Sequence, residues 1–270
     1  MTVRYLCAEP RVAILSMALR ALVLAAMLAT GASTAWSQVG FDYWGRCNNG
    51  KLADDKRIGY CSRLLYNGGG PNSEIAVLTI LGGIYRDEHQ YAKAIELFSR
   101  AVKYEELGVS RYDHALPSPD ALIAAFEARS ETYALNGQHD LALADTAEIF
   151  KLAPDRAASY AVRCRIRAVM KAELADALAD CDQAAKREPR SVEVLDAAGL
   201  VQFRLGHLKE AAADYDEALH LGGKLPGALF MRGIIEQRNG NAAAGTADVA
   251  EAKEQEPSIA GRFADLGIVP

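Results

Sequence analysis

The 270-residue chain is 50% hydrophobic and 24% charged, and its formal net charge is -5. This composition is that of a folded protein, and it excludes a disordered or collagen-like chain. The slight acidic excess, without any long run of lysine or arginine, excludes a nucleic-acid-binding surface, because such a surface needs clustered cations to displace phosphate counterions.

Residues 1–37 have the features of a signal peptide. Arg4, Arg11 and Arg20 precede or interrupt two apolar runs, and small residues follow the second run. This order predicts export of the chain and removal of the segment. Met17 is a second candidate start, since the chain from that residue still has a basic, an apolar and a small-residue part. The alternative is an uncleaved anchor, but the apolar run after Arg20 is too short to span a bilayer alone.

Export would place the chain in an oxidising compartment, where cysteines form disulfide bonds. Cys7 lies in the signal segment, so four of the five cysteines remain in the exported chain. We predict the local pairs Cys47–Cys61 and Cys164–Cys181, whose members lie 14 and 17 residues apart. The alternative is that these cysteines are buried free thiols that act as small apolar residues.

A short helix is predicted in the segment 38–74. Ile58, Cys61 and Leu65 share one stripe of this helix, and a glycine-rich stretch ends it. No Gly-Lys-Ser/Thr follows the glycines, so they are interpreted as a turn and not as a phosphate-binding loop. The Cys47–Cys61 bridge would tie the leading residues to the helix.

From residue 75 to residue 259, one pattern of residue types recurs about five times. Each copy has a small residue in a first helix and another in a second helix. The first copy is the most complete, with Leu78, Leu81, Gly82, Tyr85, Ala94, Phe98 and Ala101. In the later copies the small residue of the second helix recurs every 34 or 35 residues, at Ala142, Ala177, Ala211 and Gly245. This pattern and period resemble the tetratricopeptide-repeat family.

The resemblance implies an all-α solenoid of about five helical hairpins, at residues 75–108, 123–156, 157–191, 192–225 and 226–259. An insertion at 109–122 separates the first two hairpins. The small residues are expected to let the two helices of each hairpin pack closely. Gly245, which replaces alanine, is expected to cost about 1 kcal/mol of helix propensity.

Both ends of such a solenoid need a cap, because each hairpin leaves an apolar face uncovered. The disulfide-tied helix within 38–74 is predicted to cover the first hairpin. Residues 260–270 are predicted to cover the fifth, since Ile259, Phe263 and Leu266 lie on one face of a short amphipathic helix.

No motif for catalysis or metal binding is found in the sequence. The five histidines show neither His-x-x-x-His nor His-Glu-x-x-His spacing, and Gly-x-Ser-x-Gly and Cys-x-x-Cys are absent. Asp180 and Asp182 point to different faces of a helix and are expected to be solvated. We therefore predict no catalytic residue, no metal and no cofactor.

The resemblance also implies a concave groove, lined by the first helices, that binds a polypeptide. The groove-facing places of the family are occupied by Arg86, Glu127, Glu131, Arg165, Asp196, Phe203, Arg204, Phe230, Gln237 and Arg238. Phe203 and Phe230 are interpreted either as exposed anchors for a partner or as buried core. The Lys/Asn arrangement by which some members clamp a terminal carboxylate is not present at these places.

The chain resembles exported, periplasmic bacterial members of the family. It is therefore interpreted as a non-enzymatic scaffold that binds a protein or peptide partner, in cell-envelope assembly or secretion. Neither nucleic acid binding nor membrane insertion after signal cleavage is expected. One alternative is an envelope enzyme with its chemistry at Asp113 and His114 in the 109–122 insertion. Another is a structural subunit that stacks end to end.

Overall fold

The computed structural model describes residues 42–67, 71–107 and 117–270. The predicted signal peptide and residues 109–116 of the predicted insertion lie outside the described residues. The described residues form thirteen helices and no strand: α1 (42–47), α2 (Asp54–Asn67), α3 (Pro71–Asp87), α4 (Tyr91–Leu107), α5 (Pro119–Leu135), α6 (His139–Leu152), α7 (Ala157–Met170), α8 (Leu174–Arg187), α9 (Val192–Leu205), α10 (Leu208–Gly222), α11 (Pro226–Arg238), α12 (Ala242–Gln255) and α13 (Ile259–Asp265).

Ten of these helices form five hairpins, which are numbered 1 to 5 in chain order: α3–α4, α5–α6, α7–α8, α9–α10 and α11–α12. Each helix packs against its partner, and each hairpin packs against the next. α2 covers hairpin 1 by packing on α3, and α13 contacts α11 and α12 of hairpin 5. The predicted all-α solenoid with a helix at each end is thus confirmed.

The turn inside each hairpin contains a residue with left-handed backbone conformation. In hairpins 2, 4 and 5 these residues are Gly137, Gly206 and Gly240, with φ angles of 73°, 81° and 90°, respectively. Glycine adopts such angles without a steric penalty. In hairpin 1 this place is taken by His89, with φ of 58°, and the turn of hairpin 3 includes Lys171, with φ of 56°. Both residues bring a polar side chain to a turn.

The two helices of a hairpin approach closely at the predicted small residues. A Cβ atom on Gly82 would lie 2.4 Å from the ring of Phe98, and one on Gly199 would lie 2.9 Å from the ring of Tyr215. Both rings are almost completely buried. The glycines therefore provide the space that these two aromatic side chains fill.

Hairpin 5 has an even closer contact, between the backbones of α11 and α12. A Cβ atom on Gly245 would lie 2.4 Å from the carbonyl oxygen of Gly233. Gly245 therefore has a packing role that the expected cost in helix propensity does not describe, because alanine would collide with the backbone of α11. Gly233 and Gly245 together allow this helix pair to form.

Both predicted disulfide bonds are present in the structure. Cys47–Cys61 joins α1 to α2, with the Cα atoms 4.9 Å apart, and Cys164–Cys181 joins α7 to α8, with the Cα atoms 5.5 Å apart. All four sulfur-bearing side chains are buried. Cys164 occupies the small-residue place of α7, and Cys181 occupies the place that Phe98 and Tyr215 have in hairpins 1 and 4.

An ion pair between the two helices recurs in three hairpins: Arg129–Asp145, Arg163–Asp180 and Arg232–Asp248. Asp180 is only 5% exposed, so the expectation that it is a solvated residue is wrong. Its carboxylate accepts hydrogen bonds from Arg163 and from Arg167. Asp182 is exposed, as expected.

Hairpin 4 lacks the arginine of this ion pair. Ala198 takes the place of the arginine, while Asp214 keeps the place of the aspartate. Burial, together with the negative charge of Glu210, raises the pKa of Asp214 to about 6. Asp214 therefore lacks the arginine that pairs with the equivalent aspartate in hairpins 2, 3 and 5.

Candidate functional site

Five predicted groove residues form a charged cluster on the first helices of the hairpins, the helices that are predicted to line the concave side. Arg86 on α3 pairs with Glu131 on α5 at 2.6 Å. Arg165 on α7 pairs with the same Glu131 at 2.7 Å and with Glu127 at 2.6 Å. Asp196 on α9 lies within the field of Arg165. The cluster thus connects the first helices of four hairpins.

Glu131 is the centre of this charged cluster. Burial alone would raise the pKa of its carboxyl group, whose side chain is only 19% exposed. Three positive charges outweigh burial and lower that pKa to about 2, namely those of Arg165, Arg86 and Arg262. For Asp196 the balance is the opposite: burial outweighs the arginines and raises the pKa.

The third of these arginines, Arg262, belongs to α13 and not to a hairpin. We call residues 259–270, which comprise α13 and the residues after it, the C-terminal segment. Arg262 also pairs with Glu256, and its side chain is 41% exposed. The C-terminal segment therefore adds a third arginine beside the charged cluster, in which the hairpins place Arg86 and Arg165.

Three apolar side chains hold the C-terminal segment in place. Ile259 and Ile268 are fully buried, and Phe263 is 8% exposed. The ring of Phe263 stacks on that of Phe230 from α11, with centroids 4.9 Å apart and an angle of 15° between the rings. After the helix, Gly267 takes a left-handed conformation and Ile268 donates a hydrogen bond to the carbonyl oxygen of Phe263, which folds the chain back.

Polar contacts connect the C-terminal segment to hairpins far from hairpin 5 in the sequence. The carboxylate of Asp265 lies 3.3 Å from Nδ1 of His89, in the turn of hairpin 1. The same carboxylate accepts a hydrogen bond from Tyr91. In hairpin 4, Arg204 donates a hydrogen bond of 2.5 Å to the carbonyl oxygen of Leu266. The segment thus lies across the solenoid as well as at its end.

A cavity of about 30 Å³ lies between the C-terminal segment and the hairpins, lined by Arg86, Asp87, Glu131, Leu135, Arg262, Phe263, Asp265 and Leu266. Its volume is sufficient for about two water molecules. The amine of Lys171, in the turn of hairpin 3, lies 2.9 Å from where a Cβ atom on Gly267 would be. Residues of all five hairpins therefore surround the segment.

The predicted groove residues occupy three kinds of environment. Arg86, Glu127, Glu131, Arg165 and Asp196 belong to the charged cluster. Arg204 and Phe230 contact the C-terminal segment. Gln237 and Arg238 lie at the end of α11, where the guanidinium of Arg238 is 4.4 Å from the ring centroid of Phe203 on α9.

The interpretation of Phe203 and Phe230 as exposed anchors is wrong, and their interpretation as buried residues is correct. Phe203 is 5% exposed and Phe230 is fully buried. Arg238 covers the ring of Phe203, and Phe263 covers the ring of Phe230. These two aromatic side chains are therefore already in contact with residues of this chain.

Three residues of the site are not predicted from the sequence: His89, Arg262 and Asp265. The spacing of Ile259, Phe263 and Leu266 indicates an apolar helix face, which by itself predicts only an end cap. The same helix, α13, also carries the basic residue Arg262 and the acidic residue Asp265 beside that face. This combination of charges is the signal that the helix contacts a charged surface as well as an apolar one.

The part of the chain that the structure describes contains no cluster of three or more His, Cys, Asp or Glu side chains suited to a metal ion. None of the helices described is long and apolar enough to cross a membrane. Asp113 and His114, on which the alternative of an enzyme depends, lie outside the described residues.

Comparison with solved structures identifies the fold. Chains that match with probability 1.00 include TTC0263, a thermophilic TPR protein from Thermus thermophilus. It is 22% identical to this chain in sequence, and the TM-score is 0.53. The match covers 72% of this chain and 100% of TTC0263. A tetratricopeptide repeat protein from Parabacteroides merdae is 16% identical, with 86% of each chain covered and a TM-score of 0.46. No protein-family model matches the sequence, and the curated proteins include no match.

Proposed function

Because this chain has the tetratricopeptide-repeat fold, we propose that it is a non-enzymatic scaffold that binds a partner polypeptide on its concave face. The observation that supports this proposal is that the first helices, which we propose line the concave face, already contact α13 and the residues after it. A surface that packs an apolar helix face and pairs with charges on its flanks has the properties of a helix-binding groove.

The charges of the concave face support a role in recognition. Glu127 and Arg262 remain 38% and 41% exposed, while Glu131 between them is held in a fixed position by two arginines. Fixed charges on a partly open surface favour one register of an incoming chain over others. Such an arrangement discriminates between partners more than it adds affinity.

We also propose that the protein acts in the periplasm, after removal of residues 1–37. The basic and apolar order of that segment supports export. Two disulfide bonds are consistent with an oxidising compartment. The mass of the intact protein isolated from the envelope under non-reducing conditions tests both points: an N-terminus near Trp36 or Gln38 and four hydrogens lost are expected. A full-length chain or free thiols would contradict them.

The binding function is tested by site-specific photo-crosslinking in intact cells. A photoreactive residue at Arg238, on the first helix α11, should crosslink to one polypeptide. The matched control is the same residue at Glu251, which is exposed on the second helix α12. Adducts at 238 that disappear when Arg165 is changed to glutamate would support the proposal. Equal labelling at both positions, or none at 238, would contradict it.

A further inference from the structure

We propose that the C-terminal segment is an intramolecular ligand of the concave face, and that the partner is a helical segment of the same chemistry that displaces it. This inference rests on the proposed function. It specifies the partner as an amphipathic helix that carries an arginine next to an aromatic residue and an acidic residue two positions after the aromatic one. In this chain the three are Arg262, Phe263 and Asp265.

A cap would need contacts with hairpin 5 alone, because it only has to cover the last apolar face. The C-terminal segment makes those contacts through Phe263 and Phe230. It also reaches His89 in hairpin 1 and Arg204 in hairpin 4, which an end cap has no reason to contact. These contacts follow the concave face, where a ligand would bind.

The charges of the hairpins specify the arginine of the partner. Asp87 pairs with Arg86 on α3, so that with Glu127, Glu131 and Asp196 the hairpins bring four carboxyl groups but only two arginines, Arg86 and Arg165, to this place. Arg262 lies within the field of three of these carboxyl groups, those of Glu131, Asp196 and Asp87. A helix that lacks a positive charge at this place would leave an acidic excess uncompensated on the concave face.

The remaining contacts specify the aromatic and acidic residues. Phe230 presents a buried ring that Phe263 covers, so the partner needs a flat apolar side chain there. His89 and Tyr91 both face the carboxylate of Asp265. A carboxylate two residues after the aromatic one would accept the same hydrogen bonds.

The C-terminal segment is attached in a way that allows a partner helix to replace it. Only three residues, 256–258, separate α12 from α13, so the segment stays close to the groove when it detaches. The ion pair of Asp265 with His89 is partly exposed, since the side chain of His89 is 58% accessible. Short helices held by few buried side chains open more readily than the core of a fold.

The test uses a fluorescent peptide with the sequence of residues 258–270 as the probe. A variant that ends at Pro257 keeps all five hairpins and should bind this peptide with saturation at one site. The full-length protein should bind it at least about tenfold more weakly, because the tethered segment competes at high effective concentration. In the shortened variant, Glu131→Gln should weaken binding, whereas Glu251→Gln on the convex side should leave it unchanged.

A second variant tests the same inference in the full-length chain, in case the shortened chain does not fold. Full-length Phe263→Ala should bind the peptide more tightly than the unchanged full-length chain, and Ala264→Ser, an exposed change on the same helix, should have no effect. Helical content and melting temperature are measured for each variant.

Folded variants that fail to bind the peptide would overturn the inference but would leave the crosslinking test of the proposed function intact. A full-length protein that is a dimer, and becomes a monomer after shortening, would also overturn it, because the occupant would then be the segment of a second copy. Peptide binding without any crosslink at position 238 in cells would confirm the intramolecular contact and contradict the scaffold function.

Discussion

Gly245 of α12 lies directly against the backbone of Gly233 on α11, so that a Cβ atom on Gly245 would be 2.4 Å from the carbonyl oxygen of Gly233. Helix propensity and packing make opposite predictions for Gly245→Ala. Propensity alone would stabilise the helix by about 1 kcal/mol. The collision with backbone, which cannot rotate away, should instead destabilise the protein by about 1–3 kcal/mol.

Urea unfolding of Gly245→Ala and of the unchanged protein distinguishes these two predictions. The matched control is Gly83→Ala, since Gly83 lies inside α3 with no atom within 4 Å of an added Cβ. This variant should gain up to about 1 kcal/mol. Equal stabilisation by both substitutions would show that the two backbones are farther apart than described.

Glu131→Gln should destabilise the protein by about 2–3 kcal/mol at pH 7, because Arg86 and Arg165 would lose the carboxylate between them. The folded-state pKa of Glu131 is about 2, below its ordinary value of 4.5. Its contribution is therefore complete above the ordinary value and is lost as the pH falls toward 2. The stability difference between the two proteins should narrow over this range.

Glu127→Gln is the matched control for Glu131→Gln. The side chain of Glu127 is 38% exposed and pairs with Arg165. Its loss should cost less than about 1 kcal/mol. If the two variants were equally stable at pH 7, Glu131 would not be the centre of the charged cluster.

Asp214→Asn should stabilise the protein above pH 6 by about 1 kcal/mol, a value reduced to allow for partial solvent exposure. The pKa of Asp214 is raised from its ordinary value of 3.8 to about 6. The folded state thus retains a proton that the unfolded chain releases, and stability falls as the pH rises through this window. Below pH 4 the two proteins should be equally stable, and a constant difference at all pH values would contradict this cause.

Ala198→Arg should restore the ion pair that hairpin 4 lacks. The new guanidinium would occupy the place of Arg163 and Arg232 in their hairpins and reach Asp214. The pKa of Asp214, followed by NMR titration, should fall below 6, and the stability at pH 7 should rise by about 1 kcal/mol. In the double variant Ala198→Arg, Asp214→Asn the gain from arginine should disappear.

The sequence predicts most of this fold because its information is local and periodic. The spacing of Ala177, Ala211 and Gly245 indicates the hairpins, and the positions of Cys164 and Cys181 around a turn indicate their bridge. Both predictions depend on residues within one repeat or on one period. The disulfide bonds and the five hairpins of the structure agree with them.

The candidate site was less predictable because it depends on contacts between distant repeats. Arg86 and Glu131 are 45 residues apart, and Arg204 and Leu266 are 62 apart. No local pattern indicates such pairs. The apolar face of α13 predicts a buried helix, but it does not say whether the helix lies at the end of the solenoid or across its concave face.

Hydrogen exchange of the backbone amides in the full-length protein tests most directly whether the concave face is a binding site that α13 occupies reversibly. Amides of residues 259–268 should exchange faster than those of α11. Their exchange should rise further when an isotopically labelled peptide of residues 258–270 is added in excess, because the peptide takes their place. Exchange as slow as that of α11 and unchanged by the peptide would show that α13 is a fixed part of the fold, and would contradict the claim.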